Sequence, residues 1–327
     1  MIDAAGRAHF DTVVRDGPPP GTDIAGLAAQ LRADPLTGTA QDRLLLAAAF
    51  AHAAFAAPDR IAAIYDAAAR GWLGALEAAP IVPLAEPPLA LPDGFLDVFW
   101  QLVGDAGQNR MDAIEITSRS AGLGGWFGTD HQRRVCTANL AYPGVTEAAR
   151  QGLPPRFTVE ALAACDPGTV GNDFYRLIAD NGFDLEVLDR DALGLGSLPH
   201  PLDYLNTRVL QCHDLWHITA GYHTTALHEI AISGFQMGQF GHAYSSMFLA
   251  VVTTAAAASP VPGGFGLLLD VVLGGWKHGR ETPAMLGIGW EDAWNSPVEV
   301  VRARFGIAPF SSPWPADLIE QARAAAA

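Results

Sequence analysis

Residues 202–220 read LDYLNTRVLQCHDLWHITA and are followed directly by Gly221. The apolar residues recur at helical intervals, and a glycine just past the last of them suits the left-handed residue that closes a helix. The spacing therefore predicts a helix over Leu202–Ala220. His213 and His217 stand four apart in it, so their imidazoles lie one above the other on the same face. Asp214, three before His217, shares part of that face. A short reversal after Gly221 would return Glu229, in the first turns of a second helix, to the same point. Two nitrogens and one or two carboxylate oxygens would then converge from a helix pair.

That donor set suits zinc, iron, manganese or cobalt, and it includes no thiolate. Three or four protein ligands leave room for an open position, where a metal can polarise a substrate oxygen or activate water. The pattern resembles the H-E-x-x-H of metallopeptidases, but Asp214 is one methylene shorter than their glutamate, which would misplace a base acting on metal-bound water. Two histidines and an aspartate on a buried helix face could also simply hydrogen-bond one another. The return of Glu229 is what favours a metal. His228, just before it, is a candidate for orienting a ligand from behind. His223 falls in the turn, and His242 and His278 read as ordinary helix or loop residues.

Working outward, the chain continues to read as helices separated by breaks. Residues 1–38 carry the run Pro18-Pro19-Pro20 and suggest an extended arm with one short helix at Ile24–Arg32. Thr39 has the chemistry of an N-cap for a helix over Gln41–Ala57, and Pro58 suits the first turn of another over Pro58–Ala79. Pro80–Pro92 must be loop. A helix is predicted over Gly94–Asp105, and glycine-rich Ala121–Thr129 reads as an irregular turn. Thr158–Ala164 could start a short helix, and Gly168–Asn181 reads as loop into helix. Thr225–Leu249 reads as one helix, with a break at Pro260–Gly266 and a last helix over Pro297–Phe305 capped by Ser296. Strict alternation is rare. The expected fold is all-α, a single multi-helix domain over 39–327 after the arm.

Composition narrows the partners. Charged residues make up 17% of the 327 residues and the formal net charge is −15. Such a chain is a poor partner for nucleic acid or for anionic lipid by charge alone, since both need clustered Lys and Arg. Cys136, Cys165 and Cys212 form no C-x-x-C pair and read as reduced, buried thiols of a cytoplasmic protein. The N-terminus lacks the apolar core of a signal peptide. Met247–Ala258 and Phe265–Gly275 are strongly apolar but shorter than the about 20 residues of a spanning helix. They read first as core helices and second as walls for a lipid-like ligand.

At His213-Asp214-Leu215-Trp216-His217, then eleven residues, then Glu229, the chain resembles the Coq4 family of coenzyme Q biosynthesis. Arg208, five before the first histidine, also matches. So does Pro167-Gly168-Thr169-Val170-Gly171-Asn172-Asp173-Phe174-Tyr175, which is similar to the family's Gly-Thr-x-Gly-x-x-Tyr segment. Arg304-Phe305-Gly306-Ile307 is similar to its closing motif, and Ala57-Pro58-Asp59-Arg60 matches slightly. The resemblance is firmest over 165–308. It departs at His228, where the family usually has glycine.

The resemblance implies an all-helical, dimerising protein that sits peripherally on membrane, here the inner membrane. It carries over zinc held by His213, Asp214, His217 and Glu229, with Arg208 and His228 behind them and Gly171 and Tyr175 as candidate substrate contacts. It implies oxidative decarboxylation of a polyprenylated hydroxybenzoate, in which the C1 carboxyl leaves and a hydroxyl replaces it, with the prenyl tail in an apolar pocket. Two other readings stand beside it. One is a non-catalytic scaffold that binds a quinone-like lipid and organises other quinone-biosynthesis proteins. The other is a metal-dependent hydrolase.

Overall fold

The computed structural model describes residues 3–34, 39–107, 113–186 and 189–326, and among these every regular element is a helix. The expected all-α class holds. The chain divides into two compact units, one of Met1–Ala138 with Ser233–Glu281 and the other of Asn139–Ile232 with Thr282–Ala327.

The first unit contains α1 (Ala4–Asp16), α2 (Ile24–Ala33), α3 (Ala40–Phe55), α4 (Ile61–Leu73), α5 (Phe95–Gly107), α6 (Ala113–Leu123) and α7 (Thr129–Asn139). The second contains α8 (Val145–Ala149), α9 (Val159–Ala163), α10 (Val170–Asn181), α11 (Leu202–Ala220) and the start of α12 (Ala226–Phe240), up to Ile232. The rest of α12, α13 (Ala243–Ala258) and α14 (Gly264–Glu281) return to the first unit, while α15 (Val298–Phe305) and α16 (Leu318–Ala326) complete the second.

In the first unit α3 is buried almost all round from Leu46 onward, and its many alanines let α1, α4 and α13 pack closely on it. Thr39 caps it as expected, its hydroxyl accepting the Asp42 N–H at 3.1 Å. The segment before it is no extended arm. Phe10, Val13 and Val14 form a short i, i+3, i+4 stripe that docks α1 on α3. The helix predicted over Thr225–Leu249 is broken at Gly241, whose φ of +68° is left-handed, so α12 and α13 are separate. α4 likewise stops at Gly74, short of the expected Ala79.

The later half of α12 meets α14 backbone to backbone. A Cβ on Gly279 would stand 2.2 Å from the Phe235 carbonyl oxygen, so only glycine fits there. The apolar stretches 247–258 and 265–275 lie in α13 and α14 and pack on α3, α4 and α5, as core helices do. No described helix is long and apolar enough to cross a membrane.

In the second unit, α10 closes on the 294–296 segment: the N–H groups of Val170 and Gly171 donate to the carbonyls of Ser296 and Trp294, both at 2.9 Å. With its backbone engaged there, Ser296 does not cap α15; Pro297 occupies that position. Arg302 of α15 donates to the Ile218 and Thr219 carbonyls, each at 2.9 Å, satisfying acceptors at the end of α11. Cys136, Cys165 and Cys212 are buried.

Candidate metal centre

α11 has the bounds read from sequence and ends at Gly221, with φ +80°. His213 and His217 therefore stack one turn apart, and their Nε2 atoms come within 3.2 Å of each other. The turn of residues 221–225 reverses the chain, and Glu229 enters from the first turns of α12. One of its carboxylate oxygens lies 3.3 Å from His213 Nε2 and the other 3.2 Å from His217 Nε2. Asp214 joins from the side: one ligand atom from each of His213, Asp214 and His217 lies within 4.8 Å of the others. All four residues belong to the second unit.

These spacings fit a shared cation. Two donors each bound at about 2.0–2.1 Å to one tetrahedral ion stand roughly 3.3 Å apart. The three observed separations, between 3.2 and 3.3 Å, match that edge length. Two imidazole nitrogens with carboxylate oxygens form a donor set for zinc or a neighbouring first-row ion.

The groups behind the ligands set their protonation. His217 is buried, and its Nδ1 faces the His223 carbonyl at 3.2 Å. Donation to that oxygen puts the proton of neutral His217 on Nδ1 and leaves the Nε2 lone pair directed at the cluster. The His223 N–H in turn donates to His228 Nδ1 at 2.9 Å. His223, through the two peptide groups on either side of its Cα, therefore stands between His228 and His217. Burial, with His223 and His217 close by, holds His228 down at about 4, so it stays neutral near pH 7. For His213 burial works downward, but the Glu229 hydrogen bond and the charges of Glu229 and Asp214 outweigh it and raise its pKa. Burial would raise Glu229, yet its hydrogen bonds to both histidines hold it well below the usual carboxylate range. Both carboxylates thus favour the protonated form of His213.

The other expected site residues lie elsewhere. Arg208 is buried, with its guanidinium on the Leu286 and Ile288 carbonyls and on Gln211 Oε1, contacts that brace α11. Gly171 serves packing: a Cβ there would stand 2.5 Å from Cys165 Sγ and 3.0 Å from the Trp294 side chain. Tyr175 is half-buried one turn further along α10. The expected lipid walls, α13 and α14, belong to the other unit. A concavity of about 350 Å³ in the second unit, bounded by Ala148, Ala284, Gly287 and Phe305, includes none of the candidate ligands. The turn's part in setting the His217 tautomer was not foreseen, since backbone carbonyls leave no mark in a sequence.

The sequence model of the family described as coenzyme Q (ubiquinone) biosynthesis protein Coq4 matches residues 154–311. That span, a little under half of the chain, holds His213, Asp214, His217 and Glu229, and over it the resemblance seen in the sequence is shown. Among solved structures, one similar chain is a ubiquinone biosynthesis protein, provisionally so named, from Nostoc punctiforme PCC 73102. The two are 22% identical, with 66% of this chain and 97% of that one covered and a TM-score of 0.47. No curated protein matches the sequence.

Proposed function

We propose, from the Coq4 match over residues 154–311, that this chain serves ubiquinone biosynthesis as a metal-dependent enzyme acting on a polyprenylated hydroxybenzoate. The reaction would remove the C1 carboxyl and put a hydroxyl in its place. The observation that carries the reading is the triangle of His213, His217 and Glu229 donor atoms with edges of 3.2–3.3 Å.

A divalent ion held there would supply a Lewis acid able to bind the substrate carboxylate and offset charge on the ring. The protein's part is to keep the donors ready. The His223 carbonyl favours the His217 tautomer that exposes Nε2, Glu229 stays ionised, and His213 would have to give up its proton to act as a ligand. Zinc has no redox chemistry, so with zinc the oxidant must act on the substrate itself, and with iron or manganese the ion could take part. Asp214 favours a second reading. If it completes a four-donor site, no position stays open and the metal is structural, in a protein that binds a quinone-like lipid and scaffolds its partners.

The test is to strip the protein, reload it with zinc, iron, manganese or cobalt, and incubate each form with a prenylated hydroxybenzoate under air. Loss of the carboxyl with gain of a hydroxyl in one form is the expected result. Tight metal and lipid binding with no turnover in any form would hand the case to the scaffold.

A further inference from the structure

Beyond α15 the chain runs back over the turn that joins the two ligand helices, and most of this return lies past residue 311, where the family match stops. We propose that residues 309–320 are a strap that sets the spacing of α11 and α12, with Phe310 and Glu320 as positioning residues for the cation site. The inference rests on the metal reading of that site.

The strap touches both sides of the turn. The Phe310 N–H donates to the Ala220 carbonyl at 2.8 Å, at the end of α11. Pro309 lies so close over Gly221 that a Cβ there would stand 2.8 Å from the proline's own. The Phe310 ring stacks on Tyr222 at 4.5 Å and meets His228 edge-on at 5.4 Å. On the far side, the Thr225 hydroxyl donates to the Ala316 carbonyl at 2.7 Å, and Glu320 accepts the N–H of Ala226, the first residue of α12, at 2.9 Å.

This arrangement answers a need of α12. The first N–H groups of a helix have no partner inside it, and a side chain next to the first turn usually supplies one. Thr225 stands where that cap would be, since the Glu229 N–H donates to its carbonyl, but its hydroxyl is turned to Ala316. Glu320, ninety-four residues beyond Ala226, takes over, and its charge suits the positive end of the helix. Glu229 sits one turn into α12 and His228 beside it. A shift of that first turn moves the ligand carboxylate and the residue steadying the His223 peptide together. Metal–ligand distances tolerate only about 0.2 Å, so such a shift is felt as affinity.

The test compares full-length wild type with Glu320→Ala, Glu320→Gln and Thr225→Val, each stripped and titrated with cobalt(II) and zinc against a chelator. The cobalt absorption spectrum and the urea stability of the metal-free form are read in parallel. Glu320→Ala should weaken both ions by about tenfold, the scale set by groups that orient ligands, and shift the cobalt bands. Thr225→Val should act in the same direction. Glu320→Gln keeps an acceptor for the Ala226 N–H and should stay near wild type. Lower stability with wild-type affinity and spectrum in the alanine and valine variants would make the strap merely structural and overturn the proposal. A wild-type chain that takes up neither ion would strike the metal reading instead, and the strap's role with it.

Discussion

Two histidines of the first unit, His52 and His131, and one of the second, His213, are driven in opposite directions. In the first unit, His52 donates from Nδ1 to the Val14 carbonyl at 2.9 Å, and its Nε2 is buried with no partner among the described residues. His131 stacks on Phe127 at 4.5 Å with its Nε2 likewise unpartnered. Burial lowers both, His131 to about 4, and the backbone carbonyls that face them recover only part of the loss. In the second unit, His213 is only half-buried, Glu229 and Asp214 stand beside it, and its pKa rises. Burial alone turns an imidazole into a neutral core residue. Burial with carboxylates makes a place for a cation, and a metal ion can fill it.

The sharpest way to break this contrast is to remove a ligand. His217→Ala should lower zinc affinity by at least about 100-fold, above the usual effect of groups behind a ligand, whereas His131→Phe should leave it unchanged. Chelator competition measures both, and full zinc binding by His217→Ala would end the assignment.

The next effect is on stability. The unfolded chain takes up a proton on His131 near pH 6.5, the folded one only near pH 4. Stability from this residue is therefore complete above pH 6.5 and drains as pH falls from 6.5 toward 4, by up to about 3 kcal/mol. Urea unfolding of the metal-free protein between pH 7 and 4 should show the decline, and His131→Phe should flatten it.

The smallest effect has the same direction but a different cause. A cation must displace the proton that His213 holds with Glu229, so metal affinity should fall by about tenfold per pH unit below the raised His213 pKa. Isothermal titration in buffers of different ionisation heat counts the proton released. A pH-independent affinity would show that His213 does not bind the ion.

The legible parts of the molecule were the local ones. Thr39 as a cap, Gly221 as a terminator and the bounds of α11 depend on neighbours a turn away, and sequence carries such signals openly. The break at Gly241 is not legible, because one glycine in an apolar run does not announce whether its φ will turn positive. The stripe of Phe10, Val13 and Val14 was hidden by its shortness and by the prolines after it. A motif marks Arg208 and Gly171 without saying what they touch, and only the fold shows the carbonyls around the one and the close packing around the other.

From the sequence alone came the all-α class and the pairing of His213, Asp214 and His217 on one helical face, because a period of 3.6 residues is a property of the chain itself. Only tertiary structure decided that both oxygens of Glu229 reach those histidines, that the His223 carbonyl selects the His217 tautomer, and that Glu320 caps the helix bearing Glu229. Each of these depends on where a turn or a distant segment comes to rest, and that is settled by packing between residues whose order along the chain does not encode their distance.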